Sequence, residues 1–132
     1  MRLDHDEAWS VLLTTDHGVL STVHPTRGVD AVPVVFVPFG VELLIPIDTV
    51  KAKSTTRLQR IANLERDPRC VLLVDHYDDD WSRLWWVRVH ALASIRDDEL
   101  APAFRSFDAY QAPGAIAAVI ELRPTEVTGW RA

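Results

Sequence analysis

The chain has 132 residues, 48% of them hydrophobic and 25% charged, and a formal net charge of -5. That length suits one domain spanning 1–132 with one core, held without metal or disulfide, and the acidic balance excludes a general nucleic-acid binder, which neutralises phosphates with surplus Lys and Arg. One cysteine, an acidic start and no apolar run near the roughly 20 residues of a membrane helix lead to the expectation of a cytoplasmic protein with no membrane partner.

Asp4 and Glu7 have the spacing of a capping box, and Ala8, Trp9, Leu12 and Leu13 follow at helical intervals, which predicts a short amphipathic helix. Gly18 to His24 alternates as a strand, and Pro25 to Gly28 reads as a turn. Val29 to Phe39 is rich in valine but carries Pro33 and Pro38, each without an N–H for the ladder, so this stretch belongs at a sheet edge or bulge. Val41 to Ile47 is a third strand. A helical period, set by Leu58, Ile61, Ala62 and Glu65, then runs from a cap at Ser54 or Thr55 to Asp67-Pro68.

Cys70 to Val74 is an unbroken apolar run, expected to be a strand buried on both faces. Asp78, Asp79 and Asp80 turn the chain back into Leu84 to Ser94, where Trp86, Arg88 and His90 alternate with Trp85, Val87, Val89 and Ala91. Three of the five tryptophans lie in this hairpin, and aromatics beside charges are enriched at binding surfaces. Leu100, Ala103, Phe104 and Phe107 predict a helix near Pro102. Ala115 to Leu122 is a strand, Pro124 a turn, and Val127 to Trp130 a last short strand. The pattern is mainly β: a closed or split antiparallel barrel with short helices at its ends.

Positive charge concentrates where the third strand gives way to the helix: Lys51, Lys53 and Arg57 with Ser54, Thr55 and Thr56. A helix start offers free N–H groups and the positive end of the dipole, so this is phosphate-binding chemistry, without a Gly-rich P-loop; a solvated basic face is the alternative. Asp75, His76 and Asp78 to Asp80 lack metalloprotease or calcium-loop spacing and read as an ordinary turn, so no metal is expected. No Gly-x-Ser-x-Gly elbow occurs and Cys70 sits in an apolar run, so an enzyme here takes its reactive atoms from a cofactor.

Lys51-x-Lys53-x-x-Thr56-Arg57-Leu58-Gln59-Arg60, Asn63, Asp67-Pro68-Arg69 and the run Leu72-Leu73-Val74-Asp75-His76-Tyr77-Asp78-Asp79-Asp80-Trp81 through Leu84-Trp85-Trp86-Val87-Arg88 resemble the pyridoxamine 5'-phosphate oxidase-like flavin/deazaflavin oxidoreductases. More narrowly they resemble the actinobacterial, F420-dependent class of that family. The resemblance implies a split β-barrel acting as a homodimer, with the cofactor in a groove between subunits. It assigns the cofactor phosphate to Lys51, Lys53, Ser54, Thr56 and Arg57, the ring to the strand at Val32, Pro33 and Val34, and the partner subunit's contribution to Trp85, Trp86 or Arg88. The implied activity is hydride transfer between F420 and a small organic substrate, with the proton from water or Tyr77 and no catalytic residue named. The alternatives are FMN on the same fold, or a non-enzymatic carrier of F420, FMN or haem, the last with His76 or His90 as ligand. The first hairpin, His24-Pro25-Thr26-Arg27-Gly28, departs from the family's Asp-rich pattern on the substrate side.

Overall fold

The computed structural model of the protein describes residues 1–48 and 55–132, with the backbone alone for 55–58. Eight strands, β1 (Arg2–Leu3), β2 (His17–His24), β3 (Gly28–Val35), β4 (Val37–Phe39), β5 (Glu42–Asp48), β6 (Arg69–His76), β7 (Trp85–Arg96) and β8 (Ile116–Arg131), make one antiparallel sheet. Its order is β3-β2-β6-β7-β8-β5-β4, with β1 added on β8. The proline-bearing strands β3 and β4 are the two edges, where a missing ladder N–H is tolerated. The sheet curls into a barrel that does not close, a split β-barrel.

Inward-facing residues of every long strand meet in one core: Leu20, Leu43, Ile45, Leu72, Val87, Val89, Ile120 and Leu122 are essentially solvent-free. Helix α1 (His5–Leu12) closes one end. Asp4 Oδ1 accepts from the Glu7 N–H at 2.8 Å and Glu7 returns the bond to the Asp4 N–H, which completes the capping box. Its Ala8 lies so near β8 that a Cβ on Gly129 would come within 3.2 Å of it. Helix α2 (Thr55–Arg66) packs on β2 and β7 at the other end and adds Leu64 and Ile61 to the core. No helix among the described residues is long and apolar enough to cross a membrane.

Four expectations change. The run at Cys70 is a strand, yet Cys70, Leu72 and Val74 are buried while Leu73 on the opposite face is 41% exposed, so one of its two apolar faces is open in the single chain. The segment around Pro102 forms 3-10 turns at Asp98–Phe104 and Asp108–Tyr110 rather than an α-helix, with Pro102 lacking an N–H and Asp97 capping the Glu99 N–H. Phe104 and Phe107 still pack, with Leu44 and Val119, over the outer side of β5 and β8. Pro124 sits inside β8, where the register shifts opposite His90/Ala91, so two expected strands are one strand with a bulge. The buried face of α2 carries Arg60, Asn63 and Leu64, while Ala62 and Glu65 are exposed. Leu72→Ala empties a site at the centre of the core and is expected to lower stability by about 2–5 kcal/mol in urea denaturation.

Candidate functional site

Strict alternation builds the outer face of the sheet. With Val87 and Val89 in the core, Trp86 and Arg88 must face outward, and the register sets them beside Asp75 and Leu73 on β6 and beside Trp130 and Thr128 on β8. The Leu73 row continues through Val19 on β2 to Pro33 on β3. The Arg88 guanidinium lies 5.1 Å from the centroid of the Trp86 ring, a cation–π contact. Leu73, Val19 and Trp130 are each more than a third exposed on this face, and Tyr77 and Trp81 project beside it. The 3-10 segment that covers the outer side of β5 and β8 does not reach here.

At the α1 end this face dips into a cavity of about 460 Å³ with Trp85, Trp86, Trp130 and Tyr77 as aromatic walls and Asp75 and Arg88 as opposed charges. Such a volume and lining suit a planar, largely apolar ligand fixed by a few polar groups. The two tryptophans separate by role. Trp85 packs against the core and lies near-parallel to His76, ring centroids 6.3 Å apart, whereas Trp86 presents its ring on the open face.

A second feature lies at the opposite end. Arg60 on α2 is 6% exposed, and no acceptor among the described residues meets its Nε or Nη1. A buried guanidinium without a counter-charge is strongly unfavourable, and such a group calls for a partner, an ion or water among them. Next to it, buried Asn63 is fully engaged: Nδ2 donates to Thr22 Oγ1 at 3.0 Å and to Asp30 Oδ2 at 2.9 Å, and Oδ1 accepts from Gln59 Nε2 at 2.9 Å. The hydrogen bond from Arg27 Nε at 2.7 Å, with that from Asn63, holds the Asp30 carboxyl down to about 2. Arg66 adds a bond from Nη2 to the Val23 carbonyl at 2.7 Å, so α2 is tied to the β2–β3 hairpin by polar contacts.

Of the sequence-derived phosphate residues, Lys51, Lys53 and Ser54 lie outside the described residues, and Thr56 and Arg57 fall in the first turn of α2 with only their backbone described. Arg60 follows Arg57 by three residues on the same helix. Val32 and Val34 turn their side chains inward, opposite Leu20 and Gly18, and between them only Pro33 faces out. Their expected place beside a ring is therefore open to backbone atoms and to Pro33. His76 lies 3.5 Å from Asp78, and on the outer face of β7 His90 holds a buried Nδ1 without a partner among the described residues. No three His, Cys, Asp or Glu side chains converge in a metal-holding arrangement among the described residues.

Sequence reasoning passed over Arg60, Asn63, Asp75 and Trp130 as site residues. For Arg60 a signal existed: it stands four residues before Leu64, on the stripe that packs inward. Hydrophobicity patterning misses a cation in that position.

No protein-family model matches the chain, and no curated protein matches it in sequence. Solved structures do. The chain is similar to the FAD binding protein from Mycobacterium smegmatis, with a TM-score of 0.70 and 20% identity over 99% of this chain and 97% of that one. It is similar to a Corynebacterium glutamicum protein provisionally named a pyridoxamine 5'-phosphate oxidase, with a TM-score of 0.68 and 21% identity over 98% and 90% of the two chains. A heme binding protein from Mycobacterium smegmatis aligns with a TM-score of 0.71 and 20% identity over 93% of this chain and 52% of that one. Likeness at this identity shows the fold alone, the split β-barrel that the chain shares with these proteins.

Two outcomes follow for the side chains around α2. Cys70, buried and pushed up to about 12, stays a neutral thiol, so iodoacetamide at pH 8 is expected to leave it unmodified until the protein is denatured. Asp30 is held below its unfolded value, so its ionised form favours the fold above about pH 4, and that contribution disappears as the pH falls toward 2. The stability gap between wild type and Asp30→Asn is expected to narrow across that window in acid-denaturation curves.

Proposed function

We infer that this protein is an oxidoreductase that binds a phosphate-bearing deazaflavin, coenzyme F420, and passes hydride between it and a small organic substrate. The observation that carries the reading is Arg60: a buried cation, unpaired among the described residues, on a helix that follows the Lys51–Arg57 basic run. Together with Lys51, Lys53, Ser54, Thr56 and Arg57 it would hold the cofactor phosphate. Arg supplies the fork of N–H donors that phosphate oxygens accept. When bound, the deazaflavin supplies a ring carbon that gives or takes hydride. The chain's own part is to orient the ring, exclude water and hold the substrate against it.

A homodimer joins the two halves of the site. Thr22, at the Asn63 contact, pairs with Cys70, whereas Trp86 pairs with Asp75, five residues further along β6, about 17 Å at the rise of a strand. A ribityl phosphate arm alone is shorter than that separation, which favours a site completed by the partner. Stacking the open Leu73–Val19–Pro33 face on a second copy brings one protomer's Arg60 toward the partner's Trp86 cavity. It also covers the apolar face of β6. FMN on the same groove is the alternative cofactor, and the flavin- and haem-binding proteins of this fold support a ligand of this size.

The test is a fluorescence titration of the protein with F420 and, separately, FMN, in wild type and Arg60→Met. Tight F420 binding that weakens by roughly 10-fold or more in the variant, the loss of a charge-assisted contact, is expected. Reduced F420 should then be oxidised by members of an acceptor panel. Unchanged affinity in Arg60→Met would remove the phosphate assignment, and FMN preference would move the protein to the flavin branch.

A further inference from the structure

Arg60 Nε and Nη1 meet no acceptor among the described residues, and the Asp30 carboxylate is bonded to the residue one helical turn on. Asn63, three residues on, leaves the same side of α2, about 5–6 Å away at Cβ. Its amide is 2.9 Å from Asp30. The Asp30 carboxylate is already taken: Arg27 holds it through Nε at 2.7 Å and Nη2 at 3.1 Å, and Asn63 holds its second oxygen. Arg27 is an exposed partner, 62% accessible, while Asn63 is solvent-free. The buried side of Asp30, the one facing α2, is therefore closed by a neutral amide.

We propose that Asn63 is a positioning residue that keeps Asp30 away from Arg60, so that the guanidinium stays free for an anion from outside. This rests on the phosphate reading of Arg60 given above. An amide suits the task because it satisfies Asp30 and Thr22 without adding charge, and its own oxygen is fixed by Gln59. Without it, Arg60 swings onto Asp30 as an internal ion pair and the anion site quenches itself. The polar stitching of α2 to the β2–β3 hairpin is thus a specificity device for the ligand phosphate as well as a structural contact.

The account separates from a structural role through a rescue. Binding of a phosphate-bearing and a phosphate-free ligand is measured for each variant, using FMN against riboflavin and F420 against its phosphate-free ribityl deazaflavin. Asn63→Ala should weaken the phosphate-bearing form by roughly 10-fold or more and leave the phosphate-free form within about twofold. Removing the competing charge, Asn63→Ala with Asp30→Asn, should recover most of that loss, although it deletes one more contact. Equal losses for both ligand forms, or no recovery in the double variant, would overturn the proposal. If Asn63→Ala does not fold, Asp30→Asn alone decides: affinity for the phosphate-bearing ligand equal to wild type or tighter supports it, and a tenfold loss overturns it. Arg60→Met distinguishes the two levels, since a variant indifferent to phosphate removes the phosphate reading itself, while a phosphate-sensitive Arg60 with no rescue removes the role of Asn63 alone.

Discussion

The proposed site turns on one buried charge, Arg60, whose Nε and Nη1 meet no acceptor among the described residues. A buried guanidinium is unfavourable by several kcal/mol when nothing answers it. Leu64 and Ile61 anchor the helix in the core, Asn63 and Arg66 tie it to the β2–β3 hairpin, and the Asp30 carboxylate is bonded to Arg27 and Asn63. A leucine at position 60 would avoid that cost, and in the proposed function the arginine is there for the ligand phosphate.

The second constraint is the period of the β-strand. Each long strand sends one face to a filled core, so the other carries whatever chemistry remains. On β5 and β8 that outer side is covered by the chain's own 3-10 turns. On β2, β6 and β7 it stays open, with exposed apolar side chains leading into an aromatic cavity that holds one carboxylate and one guanidinium. Arg60 and this cavity lie at different ends of the barrel, the separation on which the proposed two-protomer site rests.

Much of this was legible in the sequence. The capping box at Asp4, the edge strands at Pro33 and Pro38 and the facing of Trp86 and Arg88 follow from local rules that tertiary structure does not override. The barrel class followed from strand count and turn spacing. What could not be read had particular reasons. Pro124 punctuates a sequence as a turn does, but a bulge lets β8 run through it. The apolar run at Cys70 reads as doubly buried because both its faces are hydrophobic, although one of them is partly open, with Leu73 41% exposed. In α2 the inward face is partly polar, so an apolar stripe placed Ala62 and Glu65 inside and left Arg60 and Asn63 out. Asn63 is buried with partners distant in sequence, Thr22 and Asp30, and these are invisible to periodicity.

The central claim is that each ligand site is shared, with the anion end from one protomer and the aromatic end from the other. Mixing two defective proteins tests it directly. Arg60→Met and Trp86→Ala are each expected to bind the cofactor poorly as homodimers. Unfolded together and refolded, they form mixed dimers in which one of the two sites combines an intact Arg60 with the partner's intact Trp86. The account predicts that high-affinity binding returns, at one site per mixed dimer. If each site belonged to a single protomer, both sites of the mixed dimer would remain defective, and binding that stays weak after mixed dimers have formed would contradict it.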